Sequence, residues 1–222
     1  MTETGQRLRG LYAVTPDHAT DIEDLRARAD AVLRGGARLL QYRDKSADLP
    51  RREQAARALR ALCELHGALF IINDDVALAL RVGAHGVHLG QQDMPLAEAR
   101  AMLGREAIIG ITCHERLDLA LSAQAAGADY VAFGAVYPSP TKPGAVRAPL
   151  HLFTEARETL SIPVCAIGGI ESGNAAAVIA AGADMVAVVS GVFAQPDPEA
   201  EARQLTALYE SARDKRQETR DK

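Results

Sequence analysis

The stretch AAAVIAAGADMVAVV, residues 175–189, contains the pattern that decides the fold. An alanine-rich segment suited to a helix ends at the pair Gly182-Ala183, and after Asp184 the run at 185–189 is wholly apolar. Glycine just after a helix is typical of a left-handed turn that sends the chain back as a strand. A continuous apolar run is typical of a parallel strand covered on both faces. The stretch therefore predicts a helix followed by a buried parallel strand.

The Gly-Ala pair recurs at 36–37, 83–84 and 127–128, each time between a helical segment and an apolar run. The intervals between the glycines are 47 residues (36 to 83), 44 (83 to 127) and 55 (127 to 182). About 45 residues suit two strand–helix units, so four copies predict eight units. We therefore predict helices such as 49–65, 117–126 and 174–181, and strands at 11–14, 39–42, 69–72, 86–89, 108–111, 130–133, 164–167 and 185–189.

Eight strand–helix alternations in 222 residues favour one α/β domain, a single (βα)8 barrel. We expect the domain to span 1–222, with the barrel at about 11–212 and a charged C-terminal tail at 214–222 that frays. The main alternative is a doubly wound open sheet. That fold would call for a glycine-rich nucleotide turn early in the chain, and the sequence has none there.

Composition argues against several classes of protein. A net charge of -4 and an aromatic content of 4% without Trp disfavour a nucleic-acid binder. Three cysteines without CxxC spacing indicate free thiols rather than a disulfide framework or metal cluster. The N-terminus is polar, and no apolar run is long enough for a membrane span. We expect a cytoplasmic protein with no nucleic-acid or membrane partner, and the sequence leaves a homo-oligomer open.

Charged side chains gather where the predicted strands end, which is the active-site end of (βα)8 barrels. Arg43 and Lys45 follow the second strand, Asp74 the third, Asp93 the fourth and Lys142 the sixth. Carboxylates from neighbouring strands can share Mg²⁺, which also takes water and phosphate oxygens as ligands. The cations can neutralise a diphosphate. The rim thus predicts a magnesium-assisted site for a phosphorylated ligand.

Two further features of this rim point to phosphate. Gly168-Gly169 and Ser190-Gly191 place backbone N–H groups near helix starts, as in many phosphate-monoester sites. The segment GAVYPSPTKPGAVRAP, residues 134–149, accounts for the longest repeat interval. A long loop with proline and glycine at this end of a barrel is a candidate lid, with a plain surface insertion as the alternative.

Several polar residues also admit structural roles. Asp75 is expected to cap the next helix, and Gln41 can belong to the barrel layer. His88 lies within a strand and is expected to be a hydrogen-bonded core histidine, whereas His114, at the rim, stays a candidate for catalysis. Small buried groups are expected at Cys113 and Cys165. Solvated helix faces are expected to carry Arg26, Arg28, Arg51, Arg52 and Arg57.

Five motifs in order resemble those of the thiamine-phosphate synthase family: QYRDK (41–45), NDD (73–75), HLGQQD (88–93), PSPTK (138–142) and AIGGI (166–170). The likeness runs from about residue 11 to 193. Each motif is weak alone, but five in order at strand ends are specific. The resemblance implies a TIM barrel that condenses 4-amino-2-methyl-5-pyrimidinylmethyl diphosphate with 4-methyl-5-(2-phosphooxyethyl)thiazole. The products would be thiamine phosphate and pyrophosphate.

The resemblance also implies roles for individual residues. The pyrimidine diphosphate would be held by Gln41, Arg43, Lys45, Asn73 and Lys142, with Tyr42 and Asp44 in the same substrate-binding segment. Mg²⁺ would be bound by Asp74 and Asp93. The thiazole phosphate would be held by Ser139, Thr141 and the backbones of Gly169, Val189 and Ser190. Thr112 stands where the family often has Ser and keeps the hydroxyl, and Pro140 stiffens the substrate-binding loop.

The family reaction is dissociative, so pyrophosphate leaves before the thiazole nitrogen attacks. Arg43, Lys45 and Lys142 would act as catalytic residues by stabilising the departing pyrophosphate, and no protein nucleophile is needed. A thiazole tautomerase is the nearest alternative, but it needs neither the QYRDK segment nor paired metal carboxylates. A phosphate-ligand sensor without catalytic activity, or a barrel that acts within a protein complex, is a second alternative.

Overall fold

Eight parallel strands close into a barrel in the order in which they occur along the chain. The computed structural model describes residues 8–17, 21–138 and 146–220, with side chains as far as residue 212. The strands are β1 (Gly10–Val14), β2 (Leu39–Tyr42), β3 (Leu69–Asn73), β4 (Gly86–Leu89), β5 (Ile108–His114), β6 (Tyr130–Phe133), β7 (Val164–Ile167) and β8 (Met185–Val188). The predicted single (βα)8 barrel is confirmed.

Helices alternate with the strands and cover the outside of the barrel. They are α1 (Ile22–Arg34), α2 (Leu49–Leu65), α3 (Val76–Val82), α4 (Leu96–Leu103), α5 (Leu117–Ala125), α6 (Leu150–Thr159), α7 (Ala175–Ala181), α8 (Ser190–Phe193) and α9 (Pro198–Arg220). Within the described ranges, no helix combines the length and apolar character that crossing a membrane requires.

The Gly-Ala pairs end helices as the repeat predicts. All four glycines have positive φ, between 64° and 124°. At the second pair, the Gly83 amide donates to the Leu80 carbonyl at 3.3 Å. The Ala84 amide donates to the Ala79 carbonyl at 3.0 Å. These bonds satisfy the last carbonyl groups of the helix and turn the chain towards the next strand.

The observed strands differ from the predicted ones mainly at β5. This strand continues to His114, and its register against β6 shifts between Thr112 and His114. Thr112 therefore lies in the barrel wall rather than in a loop after the strand. The C-terminal helix α9 also runs on to Arg220, through residues expected to fray. That segment contains Arg, Lys, Gln and Glu, which are good helix formers, and no residue that stops a helix.

Buried side chains form two layers. The inner layer fills the barrel and includes two tyrosines, Tyr12 and Tyr130, each 1% exposed or less. The outer layer lies between the strands and the helices. Both Cys113 and Cys165 are buried free thiols, as predicted, and so is Cys63. With the interior filled, ligands have access only at the barrel ends.

Candidate active site

The segment after β2 is held in place by the segment after β1. The amide of Arg43 donates to the Thr15 hydroxyl at 2.9 Å, and the amide of Lys45 donates to the Asp17 carboxylate at 2.8 Å. The other oxygen of Asp17 lies 2.7 Å from the Arg43 guanidinium. Asp17 therefore binds both the backbone and a cation of the segment, which fixes where Arg43 stands on the rim.

Lys45 and the two predicted metal carboxylates meet at one place. Lys45 Nζ lies 3.1 Å from Asp74 Oδ2. The carboxyl group of Asp93 is within hydrogen-bonding reach of Asp74 and accepts the Gly90 amide at 2.6 Å. Burial raises the pKa of Asp74, the neighbouring Asp93 raises it further, and the Lys45 ammonium opposes both. Two acids this close need a cation, and Lys45 supplies one charge.

The donor set at this place fits Mg²⁺. Two carboxylates, with room for water and substrate oxygens, are the protein contribution that Mg²⁺ usually takes. The pKa of Asp74 is raised first by burial and then by the neighbouring Asp93, so a bound cation would stabilise the charged form of both acids. Among the described residues, no group of three or more His, Cys, Asp or Glu side chains forms a closed metal cage. Two carboxylates leave coordination positions for water and substrate oxygens, so they suit a metal that binds together with substrate.

Tyr42 and Asp44 have side chains directed at the helix layer rather than at Lys45 and Arg43. The Tyr42 hydroxyl donates to Asp44 Oδ2 at 3.0 Å, and Arg51 lies 2.9 Å from the same oxygen. Burial works against ionisation of Asp44, but the bonds from Ser46, Tyr42 and Arg51 prevail and lower its pKa. These two residues brace the segment from behind, because its side chains alternate between the two sides.

Two arginines predicted to lie on solvated helix faces are instead partly buried and paired with acids. Arg51 pairs with Asp44, and Arg52 lies 2.9 Å from Asp75 with only 15% of its side chain exposed. The prediction for Arg51 and Arg52 was wrong because the start of α2 packs against the ends of β2 and β3. Asp75 also caps α3 by accepting the Leu78 amide at 2.8 Å, as predicted.

The barrel interior below the rim carries a set of polar side chains. Gln41 Nε2 donates to the Tyr12 hydroxyl at 2.6 Å. Both ring nitrogens of His88 are engaged, Nδ1 with the Tyr130 hydroxyl at 2.9 Å and Nε2 with the Thr112 hydroxyl at 2.8 Å. Burial lowers the pKa of His88 to about 4. The prediction of a hydrogen-bonded core histidine is confirmed.

The turn after β7 is packed against the start of the long loop. A Cβ at Gly169, whose φ is 64°, would lie 2.5 Å from the Pro138 carbonyl oxygen. The Tyr137 amide donates to the Gly168 carbonyl at 2.9 Å. The Ala148 amide donates to the Ala135 carbonyl at 2.8 Å, which joins the two ends of the loop. The predicted ligands Ser139, Pro140, Thr141 and Lys142 lie outside the described residues.

The remaining predicted residues surround the same end of the barrel. Asn73 ends β3, partly exposed, beside His88 of β4. Val189 and Ser190 lie at the β8–α8 junction, and the Ser190 side chain is exposed. The rim thus brings together the described members of the predicted site.

Two features of the site were not assigned from the sequence. Asp17 is one of them, because the groups that it binds, the Lys45 amide and the Arg43 guanidinium, follow another strand. Tyr12 and Tyr130 lie inside apolar runs that are buried on both faces, so no alternation shows which face is inside. A phenol within such a run is a usable signal, since a buried hydroxyl needs a polar partner.

Comparison with known proteins identifies the family of the chain. A family model described as thiamine monophosphate synthase matches residues 11–192. A thiamine-phosphate synthase from Thioalkalivibrio sulfidiphilus is 93% identical over 210 residues, which is 95% of this chain and 100% of that protein. One from Chromobacterium violaceum is 55% identical, covering 91% of this chain and 97% of that protein.

A solved structure adds to the comparison. The thiamine phosphate pyrophosphorylase from Pyrococcus furiosus is 33% identical, with a TM-score of 0.83, and the match covers 93% of this chain and 98% of that one. The matches in sequence and in structure extend over nearly the whole barrel. The chain belongs to the thiamine monophosphate synthase family.

Proposed function

We propose that the chain joins 4-amino-2-methyl-5-pyrimidinylmethyl diphosphate to 4-methyl-5-(2-phosphooxyethyl)thiazole, releasing thiamine phosphate and pyrophosphate. The observation that carries the proposal is the meeting of Lys45 with Asp74 and Asp93 on one rim, beside Arg43. Such a mixture of acids and cations suits a diphosphate that arrives with a divalent metal. Membership of the family supports the same reaction.

The pyrimidine diphosphate is proposed to lie over β2 to β5. Its diphosphate would be bound by Arg43, Lys45 and Lys142, and its ring by Gln41 and Asn73, with Thr112 offering a hydroxyl. Tyr42 and Asp44 take a supporting role, because Asp44 is already bonded to Arg51 and to the Tyr42 hydroxyl.

Mg²⁺ is the metal proposed for this site, held by Asp74 and Asp93. When bound, it supplies positive charge to the diphosphate oxygens. The chain's own part is to keep the two carboxylates together: the Gly90 amide holds Asp93, and Asp74 takes a left-handed conformation, φ 61°, that Asp tolerates. Lys45 must release Asp74 to reach the diphosphate.

The reaction is proposed to be dissociative. The bond from the pyrimidinylmethyl carbon to the diphosphate oxygen breaks, and its electron pair leaves with pyrophosphate. The lone pair of the thiazole nitrogen then forms the new carbon–nitrogen bond, so no proton has to move. Arg43, Lys45 and Lys142 stabilise the charge on the leaving group, and the barrel mouth holds both partners close.

The thiazole phosphate is proposed to bind at the turns after β7 and β8. The backbone N–H groups of Gly169, Val189 and Ser190 would hold its phosphate, with Ser139, Pro140 and Thr141 closing over it from the loop. Gly168 and Gly169 both have positive φ, 105° and 64°, which glycine adopts without strain. The reduced thiols fit our proposal of a cytoplasmic location.

One assay tests the function. Both substrates and Mg²⁺ are incubated with the purified chain, and thiamine phosphate and pyrophosphate are measured, with each component omitted in turn. We expect both products only in the complete mixture. Isomerisation of the thiazole without Mg²⁺ would identify a tautomerase, and ligand binding without any turnover would identify a sensor.

A further inference from the structure

Five side chains from five strands form a continuous hydrogen-bonded line across the barrel interior, which we name the interior row. In order, they are Gln41, Tyr12, Tyr130, His88 and Thr112. The four bonds measure 2.6, 2.9, 2.9 and 2.8 Å. The row begins at a residue proposed to bind the pyrimidine and ends at another proposed substrate ligand.

We propose that the interior row is a positioning device: it keeps the His88 proton on Nε2 and thereby fixes how Gln41 and Thr112 donate and accept at the barrel mouth. The proposal rests on the proposed function only for the identity of the substrates that Gln41 and Thr112 contact. The tautomer of His88 is a property of the protein without substrate.

The direction of the row follows from counting protons. Gln41 Nε2 donates to Tyr12, so Tyr12 passes its own hydrogen to Tyr130. Tyr130 then donates to His88 Nδ1, which leaves the single proton of the neutral ring on Nε2, where it is donated to Thr112. Each tyrosine hydroxyl in the line accepts one bond and donates one, and the Thr112 hydroxyl at the end accepts one.

The opposite direction would require every link to reverse together. Tyr12 would donate to Gln41, and His88 would donate from Nδ1 to the Tyr130 oxygen. It would also require the Gln41 amide to turn over, because only Oε1 can accept the Tyr12 hydrogen, whereas Nε2 faces Tyr12 in the structure. The lowered pKa of His88 agrees with a neutral ring that carries one proton.

Packing makes the row rigid. The Tyr130 ring stacks on His88, with centroids 5.5 Å apart, and meets Tyr12 edge-on at 6.0 Å. It also fills the space above Gly110, where a Cβ would lie 2.0 Å from the ring. A buried polar group that loses its hydrogen-bond partner destabilises the fold, so breaking one bond of the row changes the hydrogen bonding of its neighbours.

Fixed direction has a consequence at each end. Gln41 presents Oε1 as an acceptor, which suits the exocyclic amino group of the pyrimidine. Thr112 accepts from His88 and keeps its own hydrogen to donate, which suits an anionic oxygen. The interior row therefore pairs an acceptor and a donor on opposite sides of the mouth without itself touching the reacting atoms.

The tautomer is the first test. NMR of protein labelled with ¹⁵N-histidine, without substrate, reports which ring nitrogen of His88 carries the proton, and loss of the signal in His88→Gln assigns it. We expect the proton on Nε2, and a proton on Nδ1 overturns the proposal. If the chain forms no thiamine phosphate, the proposed function fails while this measurement still decides the row.

Tyr130→Phe is the second test, since it keeps the ring and breaks the row at its centre. We expect mixed His88 tautomers and a KM for the pyrimidine diphosphate raised about tenfold, with kcat changed less than about threefold. Ile71→Val, which trims the same interior outside the row, is the matched control and should lower only the Tm.

An unchanged tautomer and KM in Tyr130→Phe would overturn the proposal. If Tyr130→Phe does not fold, Tyr12→Phe removes the hydrogen bond between Tyr12 and Tyr130. The same measurements are then made on that variant, and the same results are expected. His88→Gln, whose amide can reach Thr112, should recover part of the activity lost in His88→Ala. Equal activity in these two variants would assign His88 a packing role alone.

Discussion

The Lys45 ammonium lies 3.1 Å from Asp74, one of the two carboxylates proposed to hold Mg²⁺. In the free protein, therefore, the ammonium group proposed to bind the diphosphate neutralises the carboxylate proposed to bind the metal. Exchange of partners on binding would release Lys45 for the diphosphate at the moment when Asp74 gains a divalent ion. Metal and diphosphate are then expected to favour each other's binding.

Lys45→Met tests this exchange. Without substrate, we expect Mg²⁺ to bind about two- to fivefold more tightly, because a competing charge worth ~0.5–1 kcal/mol at a half-exposed site has gone. Turnover should fall, since the diphosphate loses a cation. Calorimetric titration with Mg²⁺ measures the first effect. Arg105→Met, at the opposite end of the barrel, is the control for loss of one positive charge, and equal affinities in all three proteins would contradict the exchange.

Asp74→Asn and Asp93→Asn should each sharply reduce turnover at sub-saturating Mg²⁺ and shift saturation to higher concentration. Asn tolerates the left-handed conformation at position 74, so the fold should remain. Asp75→Asn is a matched control: it removes charge from the helix cap and from the pair with Arg52, and should lower Tm without altering the Mg²⁺ dependence. Wild-type rates in either metal-site variant would contradict the assignment.

Ser190→Ala should change thiazole phosphate binding little, about fivefold or less in KM, because the backbone N–H remains. Gly169→Val should abolish binding, since position 169 has a φ of 64° and a Cβ there meets Pro138. The glycine variant also disturbs the loop, so the serine result carries the argument. Equal damage from both changes would make the Ser190 hydroxyl the main contact.

Lys142→Ala should lower turnover by one to two decades, because a charge-assisted contact is worth roughly 1.5–3 kcal/mol, and leave thiazole phosphate affinity unchanged.

The mobile lid at 139–144 stays a prediction, since these residues lie outside the described ranges. It rests on Pro138, Pro140 and Pro143, with Gly144 as the expected hinge. A broad-specificity protease should cut the loop more slowly with Mg²⁺ and pyrophosphate, and equal cleavage would indicate a static loop.

Asp44→Asn should cost about 1–3 kcal/mol of unfolding free energy at pH 7, because Arg51 loses its charged partner. The native pKa of Asp44 lies below its unfolded value, so its stabilisation is complete above about pH 4 and is lost as pH falls through the native pKa. The difference between variant and wild type should therefore shrink in acid. Denaturant unfolding at pH 7 and below pH 4 checks this, and a constant difference would contradict it.

Strand positions could be predicted closely because parallel strands read as short apolar runs between helices that end at glycine. The rim cluster could be predicted as well, since the topology brings all the strand ends together. Side-chain contacts between different strands could not be predicted. Nothing in the sequence pairs Asp17 with Arg43 or Tyr12 with Tyr130, because such contacts depend on register and barrel closure.

Direction along a segment was predicted only in part. Strand alternation places Arg43 and Lys45 on the same side of the segment, but the motif grouped Tyr42 and Asp44 with them. Arg51 was assigned to solvent because an arginine on a helix is usually exposed. Arg51 is partly buried because it pairs with Asp44, a contact that arises only in the folded structure.

The contact of Gly169 with Pro138 and Tyr137 constrains how this barrel can be redesigned. The β7 turn and the root of the long loop fit together with no spare volume, so neither can be exchanged alone. A loop grafted from a relative has to come with that relative's turn. Enlarging the pocket for a bulkier thiazole has to start elsewhere, for example at Val189, where the side chain is only partly buried.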